Sequence, residues 1–278
     1  MSSTLVLDPA KVVRRSSLGR DVDPRLPSNR LAIVGALLAA LATGLAALAG
    51  LEIGLSPFSA ALGVFLSWAI ARELDPDHPA AAAIALPVSF VLLVLVGPSS
   101  LLVSTGLLLG ARMTAGTVGT PLRLLDVVGI VALSALLGTS VVGAVGVAAM
   151  GVGVLVDEPR RERALAVVGS AAVAFAAAAL VTGVEWAWML PDTSGWVVLV
   201  IGVAATLLVI PAAPPDTPTD RTGDLVQGGR VTAARVVAGV GVVAAFILAG
   251  GTGIAALAGT SVAALAATSI RQIMAGRN

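Results

Sequence analysis

From Leu31 to Leu51 the chain carries no charged residue, and further charge-free stretches follow at 53–71, 80–111, 127–156, 164–184, 193–215 and 236–270. These runs are apolar on every side, not along one stripe, so they leave no face for water. Backbone groups inside hydrocarbon must bond within their own segment, which makes helices the expected structure. The whole chain of 278 residues is 57% hydrophobic and 12% charged. An ordinary soluble domain carries about 25% charged residues. The pattern therefore predicts an all-α, polytopic transmembrane bundle.

A hydrocarbon core about 30 Å thick takes about 20 residues of helix. Ten spans are read: Leu31 to Gly50, Phe58 to Ala71, Ala80 to Val96, Ser99 to Ala111, Val127 to Thr139, Val141 to Val156, Ala164 to Val184, Gly195 to Ala213, Arg235 to Gly250 and Thr252 to Ile270. As one helix the stretch Ala234 to Ile270 would be roughly 55 Å long, so it must break, and Gly250-Gly251-Thr252-Gly253 is the natural place. Val127 to Val156 would be roughly 45 Å, which leaves one tilted span as the alternative to a break at Gly138-Thr139-Ser140. Eight or nine spans are thus the competing counts.

Charge favours ten. With the N-terminus in the cytoplasm, all 17 Lys and Arg residues fall in the segments 1–30, 72–79, 112–126, 157–163, 214–234 and 271–278, with Arg235 at the edge of a helix. The opposite connections hold only Glu52, Glu185 and Asp192. Fusing both disputed stretches would export Arg160, Arg161, Arg163, Arg221, Arg230 and Arg235, against the bias of basic residues to the cytoplasm. Trp186, Trp188 and Trp196 flank the outer loop, and Trp68 ends the second span on the inner side, as indole rings favour both interfaces. Asp126 and Asp157 are each expected to open a helix. The expected organisation is a partly disordered cytoplasmic tail over 1–30, a transmembrane domain over 31–270 and a short cytoplasmic tail over 271–278. Arg14-Arg15-Ser16-Ser17-Leu18 is superficially like a twin-arginine export signal. The acidic, Pro-containing segment between it and the first apolar run argues instead for a retained tail.

Few chemistries are left. Cysteine is absent and histidine occurs once, which removes the usual ligands of thiolate zinc, haem and iron–sulfur sites. Catalytic and cofactor-binding residues are read as none. A net charge of +1, spread along the chain, gives no basis for binding nucleic acid. The segment Glu73-Leu74-Asp75-Pro76-Asp77-His78-Pro79 offers Glu73, Asp75, Asp77 and His78 as metal-ligand candidates, since alternate side chains of an extended segment share a face. The competing and preferred reading is a solvated acidic turn paired with Arg72 or its neighbours. Ala115-Gly116-Thr117-Val118-Gly119-Thr120-Pro121 lies between Arg112 and Arg123 but lacks the Gly-Lys-Ser/Thr of a phosphate loop, and it is read as a connector. Glycines 143, 146, 151 and 153 are read as helix-packing residues, and Pro87 as a kink. Ala71-Arg72 and Ala111-Arg112 end two Pro-led runs, a repeat too slight to separate from chance.

With arginine replacing lysine almost throughout, Ala/Val/Leu/Gly-rich spans and acidic Pro-rich loops, the chain resembles polytopic integral membrane proteins of haloarchaea. That resemblance lies in composition alone and carries over no site residue. The expected role is a multi-pass protein of the cell membrane, a non-enzymatic subunit or scaffold whose partners are the lipid bilayer and other membrane proteins. The alternatives are a permease for a neutral or lipid-like substrate, and an enzyme acting on lipid headgroups through the loop 73–78.

Overall fold

The structure is a computed structural model that describes residues 16–20, 22–211 and 215–275. Ten helices and no strand are found among the described residues. They are α1 (Pro27–Leu48), α2 (Pro57–Leu74), α3 (Pro79–Val96), α4 (Leu101–Ala115), α5 (Leu124–Leu137), α6 (Gly143–Asp157), α7 (Arg161–Thr182), α8 (Thr193–Val209), α9 (Gly228–Ala249) and α10 (Gly251–Ala275). Five of them, α1, α3, α7, α9 and α10, are long and apolar enough to cross a bilayer.

Local chemistry sets the ends. Pro27, Pro57 and Pro79 each open a helix, where a missing N–H costs nothing. Ser56, Ser100 and Asp192 accept hydrogen bonds from the backbone of the first turn that follows them. Both disputed breaks are present. Gly138 to Val142 turn the chain between α5 and α6, and Gly250 turns it between α9 and α10 with φ of +59° and ψ of −128°. A side chain at Gly250 would stand 1.9 Å from the Met189 carbonyl, which also accepts the Gly251 N–H at 2.9 Å. The α7–α8 connection thus locks this break in place.

The centre of the bundle is α10, 83% buried over its most apolar window, whereas α1 and α7 are 17% buried and lie at the periphery. Their outward faces carry Leu37, Leu41, Leu48, Leu180 and Val181, all exposed. Inside, α4 and α6 pack backbone to backbone through small residues. A methyl added at Gly110 would lie 2.5 Å from the Ala149 carbonyl carbon, and one at Gly106 would lie 2.9 Å from the Gly146 Cα. Within α10 a π turn over Ala258–Val262 displaces the usual i→i−4 pairing. Hydroxyls of neighbouring helices close the gap. Ser99 accepts the Gly259 N–H at 3.0 Å, Ser89 donates to the Gly259 carbonyl, and Ser104 pairs with Thr260 at 2.8 Å.

Two expectations change. Asp157 does not open a helix but ends α6, where the carbonyl end of the dipole disfavours a carboxylate. Arg230 offsets that with a 2.8 Å ion pair. Arg235 is not at a helix edge, because α9 begins at Gly228 and carries the arginine inward of its first turn. It is buried at 3% exposure and donates to the Leu74 carbonyl at 2.9 Å. The helix therefore projects beyond its apolar run into a polar layer.

Candidate functional site

That layer covers one end of the bundle. It is made of residues 16–20 and 22–26, the connections α2–α3, α4–α5 and α6–α7, residues 215–227 before α9, and the last turns of α10. At its centre Glu73, in the final turn of α2, is fully buried. Arg112 from α4 reaches it at 2.8 Å and Arg20 from the tail at 3.1 Å, while the Thr117 hydroxyl donates to its other oxygen. Burial alone would push the Glu73 carboxyl up, but Arg20, Arg112 and Thr117 together hold it below the ordinary carboxylate range. An uncompensated charge at such a depth would cost several kcal/mol.

The tail is held at a second point. Ser16 and Ser17 hydroxyls and the Ser17 and Leu18 amides all donate to Asp126, the third residue of α5. Asp126 also accepts the Arg123 N–H at 2.8 Å, the helix-start role expected of it. Burial pushes its carboxyl up, yet the Ser16 and Ser17 hydroxyls and the backbone amides outweigh it and depress the value. Arg112 ties the two points together by donating to the Leu18 carbonyl at 2.7 Å. Arg14 and Arg15 of the twin-arginine-like motif lie outside the described residues, and Ser16 to Leu18 are those docked on Asp126.

The connector 115–121 is a clamp. Gly116 adopts φ of +68° as it ends α4, and Gly119 adopts φ of +77°, conformations that favour glycine. A side chain at Gly116 would also meet the Arg230 guanidinium at 2.5 Å. Arg230 is there because it donates to the Met113 and Thr114 carbonyls at the end of α4, where a cation complements the dipole. The Thr117 carbonyl accepts the Asp220 N–H at 3.0 Å, which binds residues 215–227 to the same layer.

Between α1, α2 and α4 the layer leaves a cavity of about 370 Å³. Arg20, Arg72, Arg112 and Arg221 line it together with Asp220. Arg20 pairs with Asp220 as well as Glu73. Arg72 has only the Ser28 hydroxyl, at 3.2 Å, and no carboxylate within ion-pair distance among the described residues. Burial, then the positive charge of Arg20, push the Arg72 guanidinium down, against the pull of Glu73 and Asp220.

The chain matches no family model, no curated protein and no solved structure. The site must therefore be read from its own chemistry.

The four metal-ligand candidates do not converge. Glu73 is still helical, so the alternation of an extended strand does not reach it. Asp75 turns to His78 at 2.9 Å and to Arg271. Asp77 accepts the Asp216 and Thr217 amides at 3.0 and 2.9 Å and the Thr217 hydroxyl. No group of three such residues among those described stands close enough to hold a metal ion. Arg72 pairs with Ser28 and not with the acidic turn. What sequence reasoning missed is the convergence of Arg20, Arg72 and Arg112, and the one signal for it was the matching pair Ala71-Arg72 and Ala111-Arg112.

Proposed function

We propose that the chain is a ten-span protein of the cell membrane with both termini in the cytoplasm, acting as a non-enzymatic, membrane-embedded subunit or scaffold. The observation that carries this reading is the division of charge between the ends. Every described arginine lies in, or projects into, the layer built from the tail and the even-numbered connections. The far end carries Glu52, Glu185 and Asp192 with Trp186, Trp188 and Trp196. Arginine crosses hydrocarbon at high cost, so the basic end faces the cytoplasm.

The interior supports a static role. The buried hydroxyls Ser89, Ser99, Ser104 and Thr260 are engaged with one another and with the backbone around the π turn, which disfavours a permease. The carboxylates of the loop 73–78 fasten the polar layer in three directions, which disfavours an enzyme built on them. The short helices test the count most severely. At 14 residues α5 reaches only about 21 Å, so the bilayer must thin beside it.

A cysteine-free chain makes the test direct. Single cysteines at Ala187 and Thr139 should react with a membrane-impermeant maleimide on intact cells, and one at Thr222 only after permeabilisation. Labelling of Thr222→Cys on intact cells would overturn the orientation. Protection of Thr139→Cys beside a labelled Ala187→Cys would make α5 and α6 a re-entrant pair and remove two spans. For the subunit role, crosslinking in native membranes should capture a partner reproducibly, and recovery of the chain alone in every preparation would end that role.

A further inference from the structure

We propose that the arginine-lined cavity between α1, α2 and α4 binds the headgroup of an anionic, phosphate-bearing lipid, with the lipid chain lying along the apolar wall beneath it. Phe65, Trp68, Ala69 and Arg72 all line the cavity, and spacings of three, four and seven place them on one face of α2. Arg72 is at the mouth, Trp68 is about one turn deeper, and Phe65 is about 10 Å deeper along the axis. On α4 the pattern repeats, with Arg112 at the mouth and Leu108 one turn below. Two neighbouring helices thus give the cavity a cationic rim and an apolar floor running into the membrane. Such a shape fits an amphiphile better than a free anion.

Charge supports the same occupant. Among the described residues the guanidiniums of Arg20, Arg72, Arg112 and Arg221 line the cavity with the one carboxylate of Asp220, and Glu73 stands behind it. Among the described residues Arg72 bonds the neutral Ser28 hydroxyl and has no carboxylate within ion-pair distance, so its guanidinium keeps donors to offer a ligand. Guanidinium donors match phosphate oxygens in geometry, and basic pockets between spans on the cytoplasmic side are suited to lipid headgroups. Trp68 is tied to the rim by donating to Ser28 at 3.3 Å, and Ser28 also accepts from Arg72. The lipid phosphate would meet the same corner.

The inference rests on the membrane reading above, and one experiment separates the two. The full chain is reconstituted in bilayers of zwitterionic phosphatidylcholine with a small share of phosphatidylglycerol, one of the two brominated on its chains at a time. Quenching of tryptophan emission is followed in wild type and in Trp68→Phe, and their difference isolates Trp68. Trp68 should be quenched preferentially by the brominated phosphatidylglycerol. Arg72→Gln should weaken that preference about fivefold, from roughly 1 kcal/mol per interfacial arginine, and Arg72→Lys should largely keep it. Quenching of Trp68 by each lipid in proportion to its share of the bilayer in wild type would overturn the site without needing any variant. Full displacement of the phosphatidylglycerol by millimolar inorganic phosphate would overturn it too, since a free anion would then suffice. If neither lipid quenches any tryptophan, the membrane reading itself fails.

Discussion

At the basic end of the bundle Glu73, Asp75, Asp157 and Glu158 are each paired with an arginine, and the pairs join segments as far apart in sequence as Arg20 and Asp220 or Asp75 and Arg271. At the opposite end closure is mostly local or made by backbone. Ser56 and Asp192 cap their own helices, and the Trp186 and Trp188 indoles donate to the Leu248 and Phe246 carbonyls at the end of α9. The comparison separates two uses of charge. Positive charge held at one face orients a bundle in the bilayer. Once collected there, the same arginines become the means of joining loops that have little apolar surface to bury.

The largest effect should come from breaking the central pair. Arg112→Leu leaves buried Glu73 with Arg20 as its one remaining cation beside the Thr117 hydroxyl and removes the bond to the Leu18 carbonyl, so a loss of about 3 kcal/mol is expected. Unfolding in mild detergent with increasing SDS would measure it. Adding Glu73→Leu should recover part of the loss, because an apolar pair in place of a buried ion pair is often close to neutral. If the single variant unfolds like wild type, the basic end is not held by its ion pairs and the contrast between the ends disappears.

Next comes the tail. Asp126→Ala strips four donors from residues 16–18 of their acceptor and should cost about 2 kcal/mol, seen as faster proteolysis near Arg20 and Arg25. Acid should act the same way. The Asp126 and Glu73 carboxyls are held below their ordinary values, so their contribution is present above the ordinary carboxylate range and is lost as pH falls through the depressed ones. Amide protection of residues 16–20, relative to the intrinsic exchange rate at each pH, should therefore fall on acidification before that of α10. Asp192 at the far end is also depressed, by the Gly195 N–H and the Ser194 hydroxyl, but it holds only its own helix, so no loop should be released there.

How much of this was legible in the sequence follows the same division. The helices and both contested breaks could be read, because solvent sets the length of a span and a glycine such as Gly250 sets where it stops. The face on which the arginines gather was also legible from their spacing. Their partners were not. Glu73 looked like one of a loop cluster with Asp75 and Asp77, yet α2 continues through Leu74 and turns it inward to Arg112, 39 positions away. Arg235 looked like a boundary marker, yet it lies inside α9. Pairings of this kind depend on which helices are neighbours, and apolar spans without individual character do not encode that locally.

The smallest effect tests whether the two ends are independent. Ser56 accepts the Ser59 N–H at 3.0 Å at the start of α2, so Ser56→Ala should cost about 1 kcal/mol, the usual worth of a serine cap. Glu73 lies at the other end of that same helix, about 25 Å away along its axis. If the ends close separately, the variant lowers overall stability slightly and leaves proteolysis near Arg20 at the wild-type rate. If the tail loosens as much as it does in Asp126→Ala, α2 transmits fraying from one end to the other. The basic layer would then depend on the capping of its own helices as well as on its ion pairs.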